Sequence, residues 1–234
     1  MLVSINPKVF ELFPGFTRYV LAASNIDNST HVAELEAMLR AEEEAVRGDD
    51  SFADIKAHPH LASWRDAFSA FGVNPNQCPP SVLNLIKRVR GGKDLPYINT
   101  LVCIFNICSM RWRIPAGGDD VAAITGDLEL RPADGSESYL PLGGGPAESP
   151  KPGEIVLADS AGTAFCRAWC WRNSETTKIQ ESTTATLINL DILPPSSVED
   201  GEAVSRFAAE CIRKYCGADV SIHTLDAANP SFSL

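Results

Sequence analysis

Long apolar runs are missing from this 234-residue sequence. The longest strongly apolar stretch, around Leu101–Ile107, is far short of the roughly 20 residues a membrane-spanning helix needs. The first residues, Met-Leu-Val-Ser-Ile-Asn-Pro, have no basic lead and no long apolar run, so no secretion signal is expected. Seven cysteines are present (Cys78, Cys103, Cys108, Cys166, Cys170, Cys211 and Cys216), but no Cys-x2-Cys pair. Histidine is scarce, and His31, His58, His60 and His223 are not spaced with the cysteines as zinc ligands. Free, mostly buried thiols in a reducing, cytoplasmic setting are therefore expected, with no metal and no other cofactor. Gly-x-Ser-x-Gly, a Walker loop and His-Glu-x-x-His are all absent. With three of the four histidines near the N-terminus, a Ser/His/Asp triad is poorly supported.

Positive charge is also in short supply. Twenty Lys and Arg stand against 30 Asp and Glu, a net charge of −10, which argues against indiscriminate binding to a polyanion. One segment runs the other way. From Asn84 to Arg113, Lys87, Arg88, Arg90, Lys93, Arg111 and Arg113 face only Asp94, six cations less one acid, a net of +5. Such runs are commonly solvated faces, but here the asymmetry marks the first place to look for an anionic partner. What the chain does have is a globular composition, 44% hydrophobic and 21% charged, which excludes disorder and supplies a sizeable core.

The hydrophobic pattern predicts helices first, sheet second and a helix last. Residues 1–25 read as two short strands joined by a turn. An amphipathic helix follows over His31–Val46, with Glu42-Glu43-Glu44 as a solvated face. His58-Pro-His60 opens a second helix that Gly72 stops. Cys78-Pro-Pro-Ser81 starts a third, which Gly91-Gly92 stops, its stripe made of Val82, Leu85, Ile86 and Val89. Leu95–Met110 is apolar enough for either a helix or a buried strand. Beyond Arg113, glycines punctuate short runs, and strands are expected at Leu128–Arg131, Glu154–Leu157, Ala164–Trp171 and Thr184–Leu190. Val198–Tyr215 closes as a helix. The fold class expected is α+β: a single domain over residues 1–234, with N-terminal helices packed on a mixed, mostly antiparallel sheet and a C-terminal helix.

A series of short strings then gains meaning from its order. Trp64-x-x-Ala67-Phe68-x-x-Phe71-Gly72 is followed by Pro80-Ser81 and by Leu95-Pro96-x-Ile98-Asn99-x-Leu101-Val102. Next come Asn106, Ile114-Pro115-x-Gly117-Gly118-x-Asp120 and Gly126-Asp127-Leu-Glu-Leu-Arg131. Last are Gly153-Glu-Ile-Val-Leu-Ala158-Asp159, Cys166-Arg167-x-Trp169-x-Trp171-Arg172 and Thr183. Over about residues 54–191 this series resembles the B3/B4 domain, the tRNA-editing domain of the phenylalanyl-tRNA synthetase β subunit. The Trp-x-Trp-Arg string is similar to freestanding members of that family, since the synthetase-embedded form has Gly-Gly there.

The resemblance implies a pocket that takes the 3′ end of a mischarged tRNA and hydrolyses its aminoacyl ester without a metal. Asn106 and Pro115 match pocket positions. Gly117 stands where the family has a histidine, Leu142 and Arg172 match the walls, and Asn189 stands where the synthetase has a tyrosine-reading glutamate. Tyrosine specificity is therefore not carried over. Asn99 and Asn106 have a second reading, as groups that satisfy backbone at bends. Trp169 and Trp171, alternating on the expected strand, suit core packing or the stacking of a terminal adenine. Arg172 suits a phosphate or carboxylate, or a pairing with Glu175 or Asp191. Arg167, Arg172 and Lys178 together form a second candidate anion contact.

The expected substrate-binding set is Asn99, Asn106, Pro115, Gly117, Leu142, Trp171, Arg172 and Asn189. The expected nucleic-acid contacts are Lys87, Arg88, Arg90, Lys93, Arg111 and Arg113. The expected partner is tRNA or its aminoacylated end, with trans-editing hydrolysis as the activity and no membrane involved. The alternative is a non-catalytic module of the same fold holding RNA or a small amino-acid-like ligand. No residue stands out as a general base.

Overall fold

A computed structural model describes residues 1–234. Strand β1 (Leu2–Ile5) leads into a short helix, α1 (Pro7–Leu12), and then into β2 (Thr17–Ser24). The sequence pattern suggested only a turn between these strands. Asn6 instead caps a helix, accepting from the Lys8 N–H at 3.1 Å, with Pro7 at the first helical position. Helices α2 (Ala33–Gly48), α3 (Pro59–Ala70) and α4 (Ser81–Arg90) follow where the periodicity puts them. The acidic run on α2 is not the solvated face expected. Glu43 is fully buried, gripped by Arg40 at 2.7 Å and by the Leu95 N–H at 2.6 Å, and Glu42 meets Arg111. Only Glu44 is well exposed.

The ambiguous stretch near residue 100 is a helix, α5 (Thr100–Trp112). It starts where the Asn99 side chain accepts from the Val102 N–H at 3.0 Å and stops at Arg113, whose φ of 57° is left-handed. Leu101, Cys103, Ile104, Phe105, Ile107 and Cys108 are all buried, so the helix is apolar all round and has no stripe for a 3.6-residue period to reveal.

The second half supplies β3 (Ala116–Asp120), β4 (Leu128–Pro132), β5 (Ile155–Asp159), β6 (Ala164–Arg167), β7 (Arg172–Asn173) and β8 (Thr186–Ile192). Helix α6 (Val198–Cys216) and strands β9 (Asp219–Leu225) and β10 (Ser231–Ser233) complete the chain. Six strands pair in the order β10-β1-β4-β5-β6-β7 and four in the order β3-β8-β2-β9. Every pairing is antiparallel except β1 with β4. The protein is thus an α+β domain with mixed, mostly antiparallel sheets and a helix near its C-terminus. The strand expected over residues 164–171 ends at Arg167. Ala168 and Trp169 take φ of 46° and 63°, which turns the chain and places Trp169 and Trp171 in a bend rather than on one strand face.

One continuous hydrophobic core runs from Val3 to Leu225. Helices α5 and α6 pack behind the four-stranded sheet. The approach of α6 depends on Gly201, where an added Cβ would lie 2.3 Å from Tyr19 Cε2. The other face of that sheet carries the residues that alternate with those. Arg18 lies opposite Asp191, Gly117 opposite Asn189, and Asp119 two register pairs further along β3, opposite Leu187. This face is turned toward Trp169, which packs among Phe13, Phe16 and Trp64 at centroid distances of 4.8–5.2 Å. No helix is long and apolar enough to cross a membrane.

Candidate functional site

A cavity of about 400 Å³ opens between the two sheets. Its walls come from distant parts of the chain. Helix α5 contributes Val102, Phe105 and Asn106, and β3 with the residues just before it contributes Pro115, Ala116, Gly117, Gly118 and Asp119. Arg18, Asn189 and Asp191 come from β2 and β8, and Cys166, Trp169, Trp171 and Arg172 come from β6, β7 and the bend between them. The size falls in the range of small-molecule sites, and the lining has the usual composition, apolar with a few convergent polar groups.

The mouth has an apolar rim. Ile98 and Leu142 are 58% and 50% exposed, unusual for such side chains, and both border the opening. Leu142 begins a loop in which Gly143, Gly144 and Gly145 have φ of 90°, 91° and 132°, conformations that side-chain-bearing residues rarely adopt. The Gly143 N–H donates to Glu175 at 2.9 Å and ties this loop down. Arg172 is exposed at the same rim. It has neither salt bridge nor side-chain hydrogen bond, and its guanidinium sits 5.0 Å from the Trp171 ring. Both carboxylates that could have claimed it are taken: Glu175 by Lys178 and Asp191 by Arg18. Arg172 therefore offers its charge at the mouth and does not fill the interior.

The cavity wall holds a buried ion pair. Arg18 donates twice to Asp191, from Nε at 2.6 Å and Nη2 at 2.8 Å, and the Trp169 indole N–H donates to the same carboxylate at 3.0 Å. Both oxygens of that carboxylate are thus engaged, by three donors in all. Asp119 is different. It is 3% exposed and has no salt-bridge partner. Thr177 donates to its Oδ1 at 2.7 Å, its Oδ2 has no hydrogen-bond partner in the protein, and the residue lines the cavity. Burial raises its pKa to about 7, against the smaller lowering effects of the Thr177 hydroxyl and the Arg18 charge. Burial also pushes the Cys166 and Cys170 thiols well up, so neither supplies a thiolate at neutral pH.

Of the substrate-binding set read from the sequence, Asn106, Pro115, Gly117, Leu142, Trp171, Arg172 and Asn189 line this one cavity. Asn99 does not. Its side chain caps α5 and donates to the Ile179 carbonyl at 3.4 Å, the backbone-satisfying role. None of the six cations read as nucleic-acid contacts lines the cavity. Arg111 donates to Glu42 at 2.9 Å and Arg113 to Asp49 at 3.1 Å. Arg90 caps carbonyls at the end of α2, including those of Val46 and Asp49, and Arg88 reaches the Asp94 carbonyl at 3.0 Å. Lys87 is half-buried, and desolvation, helped by the nearby Lys56 and Arg65 charges, lowers its affinity for a proton, while Lys93 is exposed. Much of the +5 run is therefore structural, answering acids that lie on and after α2. In the second candidate anion contact, Arg167 is held by Glu154 and Glu148, which leaves Arg172 as its free member.

Sequence reasoning missed Arg18 and Asp119. A signal existed for Arg18, a charge set within the apolar run Phe16–Leu21. Asp119 had none, because Ala-Gly-Gly-Asp-Asp reads as a loop and becomes a strand only by pairing with β8.

Against known proteins, the B3/4 domain family matches residues 63–217. The chain belongs to that family. A solved N-terminal fragment of the phenylalanyl-tRNA synthetase β-subunit from Pyrococcus horikoshii is similar, with a TM-score of 0.46 and 13% identity. The match covers 93% of this chain and 49% of that one, so the chain spans about half the length of that fragment. No curated protein matches the chain.

Proposed function

We propose that this protein acts on the aminoacylated 3′ end of tRNA, hydrolysing the ester that joins a wrongly attached amino acid to the terminal ribose. The observation that carries the reading is the convergence of Asn106, Gly117, Arg172 and Asn189 on one cavity of about 400 Å³. The family supports it. In this reading Asn106 and Asn189 present unengaged side-chain amides to the aminoacyl group and to the oxyanion that forms on attack. Gly117 leaves space where a side chain would stand, and Trp171 offers a stacking surface for the terminal adenine. Arg172 meets a terminal phosphate or a substrate carboxylate. Lys87, Arg88 and Lys93 remain free enough to meet the acceptor-stem backbone. The reading places the protein in the cytoplasm, with charged tRNA.

A second reading has its own supporting observation. With Arg90, Arg111 and Arg113 already engaged by α2 and the residues after it, little of the basic run is left to grip a long polyanion. That favours a module holding a small amino-acid-like anion without hydrolysis. Deacylation of tRNAs charged one at a time with each of the twenty amino acids separates the two. The editing reading expects one or a few charged species to lose their amino acid faster with the protein than without, with tyrosyl-tRNA a poor substrate. If every species decays at its uncatalysed rate, the editing reading falls.

A further inference from the structure

Hydrolysis of an ester needs a group to accept a proton from the attacking water, and the sequence nominated none. The cavity supplies a single unpaired carboxyl. Asp191 is saturated by Arg18 and Trp169, and Glu175 is held by Lys178 outside the interior. Asp119 is the exception, a cavity-lining side chain that is enclosed, without a cation in contact, steadied at one oxygen by Thr177 and without a hydrogen bond at the other. It lies two register pairs along β3 from Gly117 and Asn189, on the same face of the sheet, so it shares a wall with the amide proposed to meet the oxyanion.

We infer that Asp119 is the general base of this site, taking the proton of a cavity water as that water attacks an ester carbonyl carbon. The inference rests on the editing reading above. The water oxygen forms a bond to the carbonyl carbon while its proton passes to Asp119 Oδ2. The tetrahedral intermediate then collapses, the bond from carbon to the ribose oxygen breaks, and the proton on Asp119 passes to that leaving oxygen. The products are a free amino acid and a free ribose hydroxyl, and the carboxylate is regenerated. No metal, thiol or further reactant enters.

The surroundings suit the task. Desolvation lifts Asp119 to about 7, where it is part base and part acid at neutral pH and serves both halves of the reaction. The other titratable groups on the cavity wall are Arg18 of β2, Asp191 of β8, Cys166 of β6, Cys170, Arg172 of β7 and Lys178. Arg18 and Asp191 offset one another, Lys178 is paired with Glu175, and the two thiols stay neutral, which leaves Arg172 as the unpaired charge.

The test uses single-turnover deacylation from pH 5.5 to 9 on the charged tRNA that the wild-type protein clears fastest, with the uncatalysed rate subtracted. The wild-type rate should rise with pH through about 7, as Asp119 loses its proton. Asp119→Asn should lower the plateau by about 100-fold or more and abolish the rise, with tRNA binding unchanged. Thr177→Val removes a donor that favours the carboxylate, so its midpoint should move to higher pH. Asp119→Asn acting within about threefold of wild type would overturn the role of Asp119 and leave the editing reading intact. So would a wild-type profile with no rise near 7, or a Thr177→Val midpoint that does not move. Failure of the wild-type protein on every charged tRNA would overturn both.

Discussion

Asp191→Asn is the sharpest test of how the cavity wall is built. The side chains of Arg18 and Asp191 are 3% and 4% exposed and make two charge-assisted hydrogen bonds with each other. The amide has the same shape as the carboxylate but only one acceptor oxygen. One orientation turns its NH2 group toward Arg18 Nε and the other turns it toward Arg18 Nη2 and the Trp169 indole N–H, all of which are donors themselves. Arg18 is then left charged and desolvated. Removing one partner of a buried pair costs about 3–5 kcal/mol, and in a chain of this size each kcal/mol moves the melting temperature by roughly 2–4 °C. Thermal unfolding followed by circular dichroism should therefore show a fall of roughly 6–20 °C. The double substitution Arg18→Met with Asp191→Leu removes both charges and leaves only the neutral Trp169 indole N–H without its acceptor, so it should be less damaging than Asp191→Asn alone. A single variant that melts within about 2 °C of wild type, or a double variant that is the worse of the two, would refute the reasoning.

Other outcomes follow from neighbouring groups. Asn99→Ala removes the cap of α5 and should cost about 1 kcal/mol of stability by denaturant titration, while affinity for a cavity ligand stays the same. Asp119 holds its proton more tightly folded than unfolded, so its contribution to stability is intact below about pH 4 and is lost as pH rises through about 7. Melting curves should accordingly show Asp119→Asn gaining on wild type across that window and exceeding it at pH 8.5. Arg172→Ala should weaken binding of a mononucleotide phosphate or an amino-acid carboxylate, measured by calorimetry, by about 1.5–3 kcal/mol, and Arg172→Lys should restore only part of that loss.

Much of the scaffold was legible because its signals are local. The stripes of α2, α4 and α6 face one core, and the capping box at Ser197 and Asp200 opens α6 where the pattern begins. What could not be read depends on tertiary pairing. Strand β3 has two glycines and two aspartates, and it exists because β8 lies beside it. Strand β9 is largely exposed, and its one stretch of alternation, Val220-Ser-Ile222-His, is too short to announce it. Charge was the least legible property. Lys87 to Arg113 looks like a basic surface in one dimension, yet folding sets Arg111 and Arg113 against Glu42 and Asp49, some 69 and 64 residues away in sequence. Motif order, by contrast, named positions that folding gathers at one cavity, while Asp119, a neighbour of the motif residues Gly117 and Asp120, escaped notice because only burial makes it unusual.

The central claim is that this cavity receives the aminoacylated end of tRNA, and a bound analogue tests it most directly. The probe is 3′-amino-3′-deoxyadenosine 5′-phosphate joined by a non-hydrolysable amide to the amino acid released fastest in the deacylation panel. A crystal structure of the complex should place the aminoacyl group between Asn106 and Asn189, the adenine against Trp171 and the phosphate within hydrogen-bonding reach of Arg172. The carbonyl carbon should lie within one water of Asp119. An analogue that binds elsewhere on the protein, or that leaves the cavity empty at saturating concentration, would contradict the account.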